Sequence, residues 1–471
     1  MARLLYNRIE ITEVLFVNHS SILIKSGTKY LLTDPWYEKP AFGSWLPTFP
    51  SYVHPVYLAS LGKNLTILIS HGHDDHCDDK LLSLFDKETE IVTAHFSSPS
   101  VINRLKKLGF NNITTVNNDG QLLADSFKIK GYIDSTRSLD DAIYTINTGN
   151  GFIIHCNDNW FKFNENCFNS ILNDRNQFED KNIMFLTQTN SASGYPLNYL
   201  NYDNKEKISI LKSKIIEIVA QGMENAINLK LSKIFSYAGF ATIFVKDYPE
   251  YKDLGLTPTA KFIKNVLVEN PKIKNLTQYI ETADYYPGDI LNLSTGNLNK
   301  AFISSEFYSD LTLKNISGDY YQKYGIIDNC YTFKKVDELD FNENKLDYFL
   351  TNFNQFVIQK VKNDNKSYET ILNKSFEICI PDLAIKKKIV FGADKLLTSD
   401  ELIPNKRLVV TSKLISQVLN GEILFENLYT GYEGLWERFP ADVYNRDIIM
   451  MIVMYSYVYK NRLAKNFNIN N

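Results

Sequence analysis

An α/β chain of two units, an αββα sandwich followed by a smaller α+β unit, is what this sequence predicts. Three observations lead there. The first hundred residues alternate short β-rich runs with polar turns, helical patches and further strands follow, and the pattern weakens before resuming near Asn342. Sheet, helix and sheet in that order suggest packed layers. A chain of 471 residues exceeds what one hydrophobic core usually serves. Its 44% hydrophobic and 13% aromatic content can build more than one such core.

The opening strands are Val14–Val17, Ser21–Ile24, Tyr30–Thr33 and Leu65–Ser70, with Gly27 and Thr28 turning the chain between the second and third. Pro99 to Leu108 places Val101, Ile102, Leu105 and Leu108 at helical spacing. Strands are expected again at Phe127–Tyr132, Ala142–Asn147, Gly151–Cys156 and Ile183–Thr187. A helix over Lys205–Leu229 follows, and strand character returns from Ile234 to Val245. From about residue 270 the chain reads as irregular connections. A second unit then opens with a helix from Asn342 to Val361, strands at Phe376–Ile380 and Leu408–Thr411, and helices to the end. The expected division is 8–300 and 342–462.

The net charge of −3 leaves no basic field, so nucleic acid is not expected as a partner. Arg3, Arg8 and Glu10 interrupt the start, so export is not expected. The apolar run Ile448–Tyr459 covers about half of the ~20 residues that a membrane span needs. It reads as a buried helix, and no transmembrane segment is expected. Cys77, Cys156, Cys167, Cys330 and Cys379 form no CxxC pair and are odd in number, which fits a reducing cytoplasm.

The chemistry concentrates in His71-Gly72-His73-Asp74-Asp75-His76, directly after the strand Leu65–Ser70. Donors so close in sequence can face one cavity only where the chain turns sharply, and Gly72 eases that turn. His71 and His73 suit one ion, while Asp75 and His76 suit a second. One or two divalent metal ions, zinc or iron, are therefore the expected cofactors. Of the remaining histidines, His54 and His95 read as loop and strand residues, and His155 as a supporting group.

HxHxDH after a β-strand resembles the signature of the metallo-β-lactamase superfamily. Asn18-His19-Ser20-Ser21-Ile22-Leu23-Ile24 and Thr33-Asp34-Pro35-Trp36 resemble the opening of its lactonase-like branch. Pro40 to Trp45, Ser191 to Pro196 and Gly431 to Asp447 resemble the CMP-N-acetylneuraminate hydroxylase family within it. The resemblance implies a metallo-β-lactamase sandwich with a sterol-carrier-like C-terminal unit. It also implies Asp158 as a bridging ligand and Asp141 in place of a histidine on the first metal. No histidine follows His155. The second site is therefore expected to be weak unless His19, a tyrosine or a carboxylate completes it.

Hydrolysis is the activity the superfamily implies. Metal-bound hydroxide would attack an ester, lactone, amide or phosphoester of a small-molecule substrate, such as a sugar or nucleotide sugar, with Asp74 and Asp75 as candidate catalytic carboxylates. The narrower resemblance implies instead a non-haem iron monooxygenase acting on a nucleotide sugar. That family carries a Rieske cluster, whose Cys and His pairs do not occur in this sequence, so an oxygenase would need a separate electron donor. A non-catalytic metal-binding protein is the third reading, and the intact motif argues against it.

Overall fold

The computed structural model describes residues 12–301 and 341–469, apart from residues 38, 49–50, 52, 134–140, 192, 244–262, 264–266, 364–368, 394–401, 432–433 and 444. Two sheets face each other across the main core. The first has eight strands, in the order Asn297–Asn299, Ile290–Asn292, Glu13–Asn18, Ser21–Ser26, Lys29–Thr33, Leu65–Ile69, Glu90–Ala94 and Ile113–Val116. Its hairpins pair antiparallel, and the four strands from Lys29–Thr33 to Ile113–Val116 run parallel. The second sheet has seven strands, in the order Glu281–Ala283, Lys233–Tyr237, Ile183–Gln188, Phe152–His155, Ile143–Asn147, Phe127–Tyr132 and Gln121–Ala124.

Period-two alternation decides which side chain serves which layer. On Phe152–His155, Ile153 joins the core between the sheets, whereas Phe152 and Ile154 join a second core beneath the helices. The helix Asn204–Asn228 covers that outer face with Ile215, Val219, Met223 and Ala226. It starts at a capping box, Asp203 and Glu206 each accepting the other's backbone N–H. The first sheet carries Ser100–Lys107 on its outer side, with Val101 and Leu105 buried. The αββα sandwich expected from the sequence is the observed architecture.

A third core belongs to the C-terminal segment. There the strands Ile385–Val390, Ser375–Ile380, Lys406–Val409 and Leu435–Arg438 form a four-stranded sheet, packed by Glu343–Asn363 and Arg446–Ile469. The apolar run Ile448–Tyr459 lies in that last helix, with Ile448, Ile449, Met451, Ile452, Tyr455 and Tyr459 buried. Among the described residues no helix is long and apolar enough to cross a membrane.

Two expectations need correction. Strand character from Ile234 does not run on continuously: Lys233–Tyr237 ends where Ala238 takes a left-handed φ of 46°, and Ala241–Ile243 pairs separately with Trp45–Pro47. Val245 lies outside the described residues. Nor is the stretch after residue 270 irregular throughout, since it supplies the helix Pro271–Leu276 and three short strands that extend both main sheets.

Candidate metal centre

The histidine-rich loop leaves the parallel strand Leu65–Ile69 at its carboxyl end, where open sheets of this kind place their ligands. It turns within one residue pair, with His76 N and Cys77 N both donating to His73 O, at 3.1 and 2.9 Å. A Cβ at Gly72 would press on Val101 Cγ2 at 3.1 Å, a tight contact that glycine avoids. Two sets of donor atoms result. His71, His73 and Asp158 form one group, His19, His76 and Asp158 the other, each within 4.8 Å.

Asp158 is shared because it follows the strand Phe152–His155 of the opposite sheet, after Asn157 at a left-handed φ of 42°. Its Oδ1 lies 3.4 Å from His76 Nε2 and its Oδ2 3.9 Å from His71 Nε2. Asp158 thus faces both donor groups. His71 Nε2 and His73 Nδ1 lie 2.8 Å apart, which identifies the ring nitrogens that converge on the first group.

His19 stands beside His76 and Asp158, where it could complete the second group. It sits in the two-residue turn between Glu13–Asn18 and Ser21–Ser26 at φ 39°, a conformation that histidine tolerates better than most residues. Its carbonyl accepts from Ala238 N at 3.1 Å, tying the turn to the other sheet. His19 Nε2 then lies 3.4 Å from Asp75 Oδ2, and Asp75 Oδ2 lies 3.7 Å from His76 Nε2. A histidine in a tight-turn position where Asn or Gly is usual was the sequence signal for it.

A further carboxylate organises this arrangement. Asp34 is fully buried and accepts from Ser70 N and Ser70 Oγ, both at 2.7 Å, while its Oδ2 lies 2.9 Å from His76 Nδ1. His155 stands behind it, 3.7 Å from Asp34 Oδ2 and 2.9 Å from Tyr237 Oη. A carboxylate on Nδ1 fixes the imidazole with its Nε2 lone pair aimed away, towards Asp75 and Asp158.

Asp74 and Asp141 sit elsewhere than expected. Asp74 faces away from the donor groups and pairs with Arg104 at 2.7 Å and Lys39 at 3.0 Å. Arg104 also donates to Gly72 O at 2.7 Å and to Asp79. Adjacent residues on a turn point to different sides, so Asp75 enters the centre while Asp74 braces the loop. Asp141 Oδ1 lies 3.4 Å from His71 Nδ1, opposite the nitrogen that meets His73, and accepts from Ala142 N at 2.7 Å. It is placed to orient His71 and joins neither donor group. Trp436, Arg438 and Asn445 are held by protein contacts to Leu428 O, Tyr195 and Asn405 O respectively.

The electrostatics fit a cation. His19 Nε2, His76 Nε2, Asp75 Oδ1 and Asp158 Oδ1 are buried polar atoms with no hydrogen-bond partner, and His19, His76 and Asp158 bring ligand atoms within 4.8 Å of one another. Unpartnered buried groups of this kind are costly in an apoprotein and are natural ligands. Burial would depress the His76 imidazole, but Asp158, Asp75 and Asp34 push it well above its ordinary range. Burial would raise the Asp75 carboxyl, but His76 and His19 hold it well below. Asp158 is likewise lowered, burial being outweighed by His76. The carboxylates demand positive charge here, and a divalent ion can replace the proton.

Residues 13–190 match the family model of the beta-lactamase superfamily domain. A Mycobacterium tuberculosis protein named as a Rieske 2Fe-2S iron-sulfur protein is 33% identical over 100 residues, 21% of this chain and 19% of that protein. A namesake from Mycolicibacterium smegmatis is 34% identical over 101 residues, with the same coverage. The chain thus spans about a fifth of the length of these curated relatives. Among solved structures, a possible metal-dependent hydrolase from Veillonella parvula aligns at 11% identity and TM-score 0.40, over 60% of this chain and 99% of that one. CmlA, a diiron beta-hydroxylase from Streptomyces venezuelae, aligns at 13% identity and TM-score 0.40, over 60% and 55%.

Proposed function

We propose that the chain is a metal-dependent hydrolase of a small molecule, with two ions held between the sheets. The observation that carries this reading is the pair of donor groups sharing Asp158. His71 and His73 would hold the first ion, His19, His76 and Asp75 the second. Bound there, a divalent metal supplies an acidified water and polarises a substrate oxygen. Asp158, common to both groups, would offset the charge of the two ions. The side chains of His73 and Asp158 are 35% and 25% exposed, while those of His19 and His76 are closed off. Substrate therefore enters over the first group. Phe42 stands edge-on to His73, with ring centroids 5.3 Å apart, and forms an apolar wall at that mouth.

Esters, lactones, amides and phosphoesters, including those of sugars and nucleotide sugars, are the substrate classes consistent with this site. Protein purified without added metal should contain metal, and chromogenic substrates of the four classes should reveal turnover that a chelator abolishes. No turnover of any class by fully loaded protein would refute hydrolysis. The two units, 8–300 and 342–462, and a cytoplasmic setting in which Cys77, Cys156, Cys167 and Cys379 stay free belong to the same reading.

One set of observations favours a second reading. Each donor group combines two histidines with one carboxylate, a set that also suits non-haem iron. With the Rieske name of the curated relatives, this supports an oxygenase fed by a separate electron donor, such as one hydroxylating a nucleotide sugar. An iron-to-zinc ratio above one, with oxygen uptake on adding reductant and substrate, would select it over hydrolysis.

A further inference from the structure

Glu426 brings the C-terminal segment to the metal centre. Glu426 lies on the short helix Phe425–Tyr429, whose Phe425 and Leu428 are buried in the C-terminal core. Its Oε1 is 3.3 Å from His73 Nε2, and its Oε2 accepts from Tyr457 Oη at 3.0 Å. His73 turns its other nitrogen, Nδ1, towards His71 Nε2. The carboxylate therefore occupies the outer nitrogen of a histidine whose inner nitrogen belongs to the donor group. His76 has the corresponding relation to Asp34.

The helix that carries Glu426 is fixed to both parts of the molecule by its carbonyl end. Trp45 Nε1 donates to Thr430 O at 3.0 Å and Asn198 Nδ2 to Tyr429 O at 3.3 Å, both from the sandwich side. Trp436 Nε1 donates to Leu428 O at 2.8 Å from the C-terminal sheet. The Glu426 side chain is 12% exposed and that of His73 35%, so their contact is partly shielded from water.

We propose that Glu426 is a positioning residue for the first metal group: it fixes the tautomer and orientation of His73, and the C-terminal segment thereby sets that group's affinity. The inference rests on the metal-centre reading above. A carboxylate on the outer nitrogen keeps the proton at Nε2, leaves the Nδ1 lone pair free for the ion and raises its basicity. Loss of such a partner typically weakens metal binding about 10–100-fold. Tyr457 steadies the carboxylate from Arg446–Ile469, so the final helix also bears on the first metal group.

The test uses the full chain, stripped of metal and titrated with Co(II) while the visible d–d band is followed. A His19→Ala background isolates the group His71, His73 and Asp158. In that background Glu426→Gln should weaken Co(II) binding about tenfold and shift the band, Glu426→Ala should weaken it further, and Tyr457→Phe should have a smaller effect in the same direction. Melting temperatures should stay close to that of the parent. Wild-type affinity and an unchanged spectrum in Glu426→Gln would overturn the proposal. So would equal losses at both groups in the otherwise wild-type chain together with a lowered melting temperature, since Glu426 would then serve only to dock the two parts. If the wild-type chain takes up no Co(II) or Zn(II) at all, the metal-centre reading itself fails and this inference falls with it.

Discussion

Replacing Asp34 by asparagine removes a single charge from a fully buried position and should disable the second metal group without unfolding the protein. The amide oxygen can keep the bond from Ser70 N, now 2.7 Å. The amide NH2 must then stand where Oδ2 was, 2.9 Å from His76 Nδ1, and it can only donate. His76 Nδ1 is forced to accept, so the imidazole proton moves to Nε2, the atom that faces Asp75 and Asp158. A protonated Nε2 cannot ligate. The lost bond is charge-assisted, because burial of Asp34 is outweighed by His76, His155 and His71 and its carboxyl stays below the usual range. Such bonds contribute about 1.5–3 kcal/mol. On the scale of ~1.4 kcal/mol per decade this is roughly a 10–100-fold loss of affinity for one ion. Competition with a chromophoric chelator reads that loss directly, with a thermal melt in parallel. Two ions bound by Asp34→Asn as tightly as by wild type would refute the tautomer argument.

Other expectations follow from the same geometry. Asp158→Ala should lower the occupancy of both ions, whereas His19→Ala should remove mainly the second; elemental analysis showing the same metal content in the two variants would contradict a bridging Asp158. Asp74→Asn should leave metal content near wild type and cost at most about 1 kcal/mol, because its partners Arg104 and Lys39 are partly solvated; loss of metal in that variant would return Asp74 to the centre. Lys406 should make stability depend on pH. Burial first, then Arg438, push its ammonium down to about 7, while Tyr199 accepts its proton at 2.7 Å. Between pH 7 and the ordinary lysine range the unfolded chain binds a proton that the folded chain does not, so stability rises with pH by up to about 1.4 kcal/mol per unit. The melting temperature of wild type relative to Lys406→Met should therefore increase from pH 7 to 9, and a flat difference would count against a neutral Lys406.

What the sequence made legible was whatever lay close together in it. His71, His73, Asp75 and His76 share one loop and could be read from order alone, whereas Asp158 was reached only through the resemblance to a superfamily with an aspartate at that strand end. Asp34 and Glu426 could not be assigned their roles, because each acts through a contact with the loop that only the fold creates. Asp74, expected as a catalytic carboxylate, pairs with Arg104 and Lys39, and spacing cannot say which of two neighbouring carboxylates a turn sends inward. The same limit applies to the sheets. Glu281–Ala283, Ile290–Asn292 and Asn297–Asn299 are three residues each, too short to show a period. Ile385–Val390 hides its strand character behind Lys386, Lys387 and Lys388, of which Lys387 pairs with Glu343 and Asp347 and Lys388 with Glu377.

Part of the join between the sandwich and the C-terminal sheet is drawn in main chain. At Gly194 a Cβ would come within 2.5 Å of Tyr429 O and 2.8 Å of Gly431 O, and at Gly431 it would overlap the carbonyls of Asn427 and Phe42. Interfaces built from side chains can drift, because a methyl lost on one face can be answered by a methyl gained on the other. This one has no intermediate steps to offer: at either position the smallest inheritable change, glycine to alanine, already meets a carbonyl oxygen. Natural variation in this protein is therefore expected to accumulate around the mouth near Phe42 and His73 and to leave these two positions fixed, so that substrates can diverge while the relation of Glu426 to His73 does not.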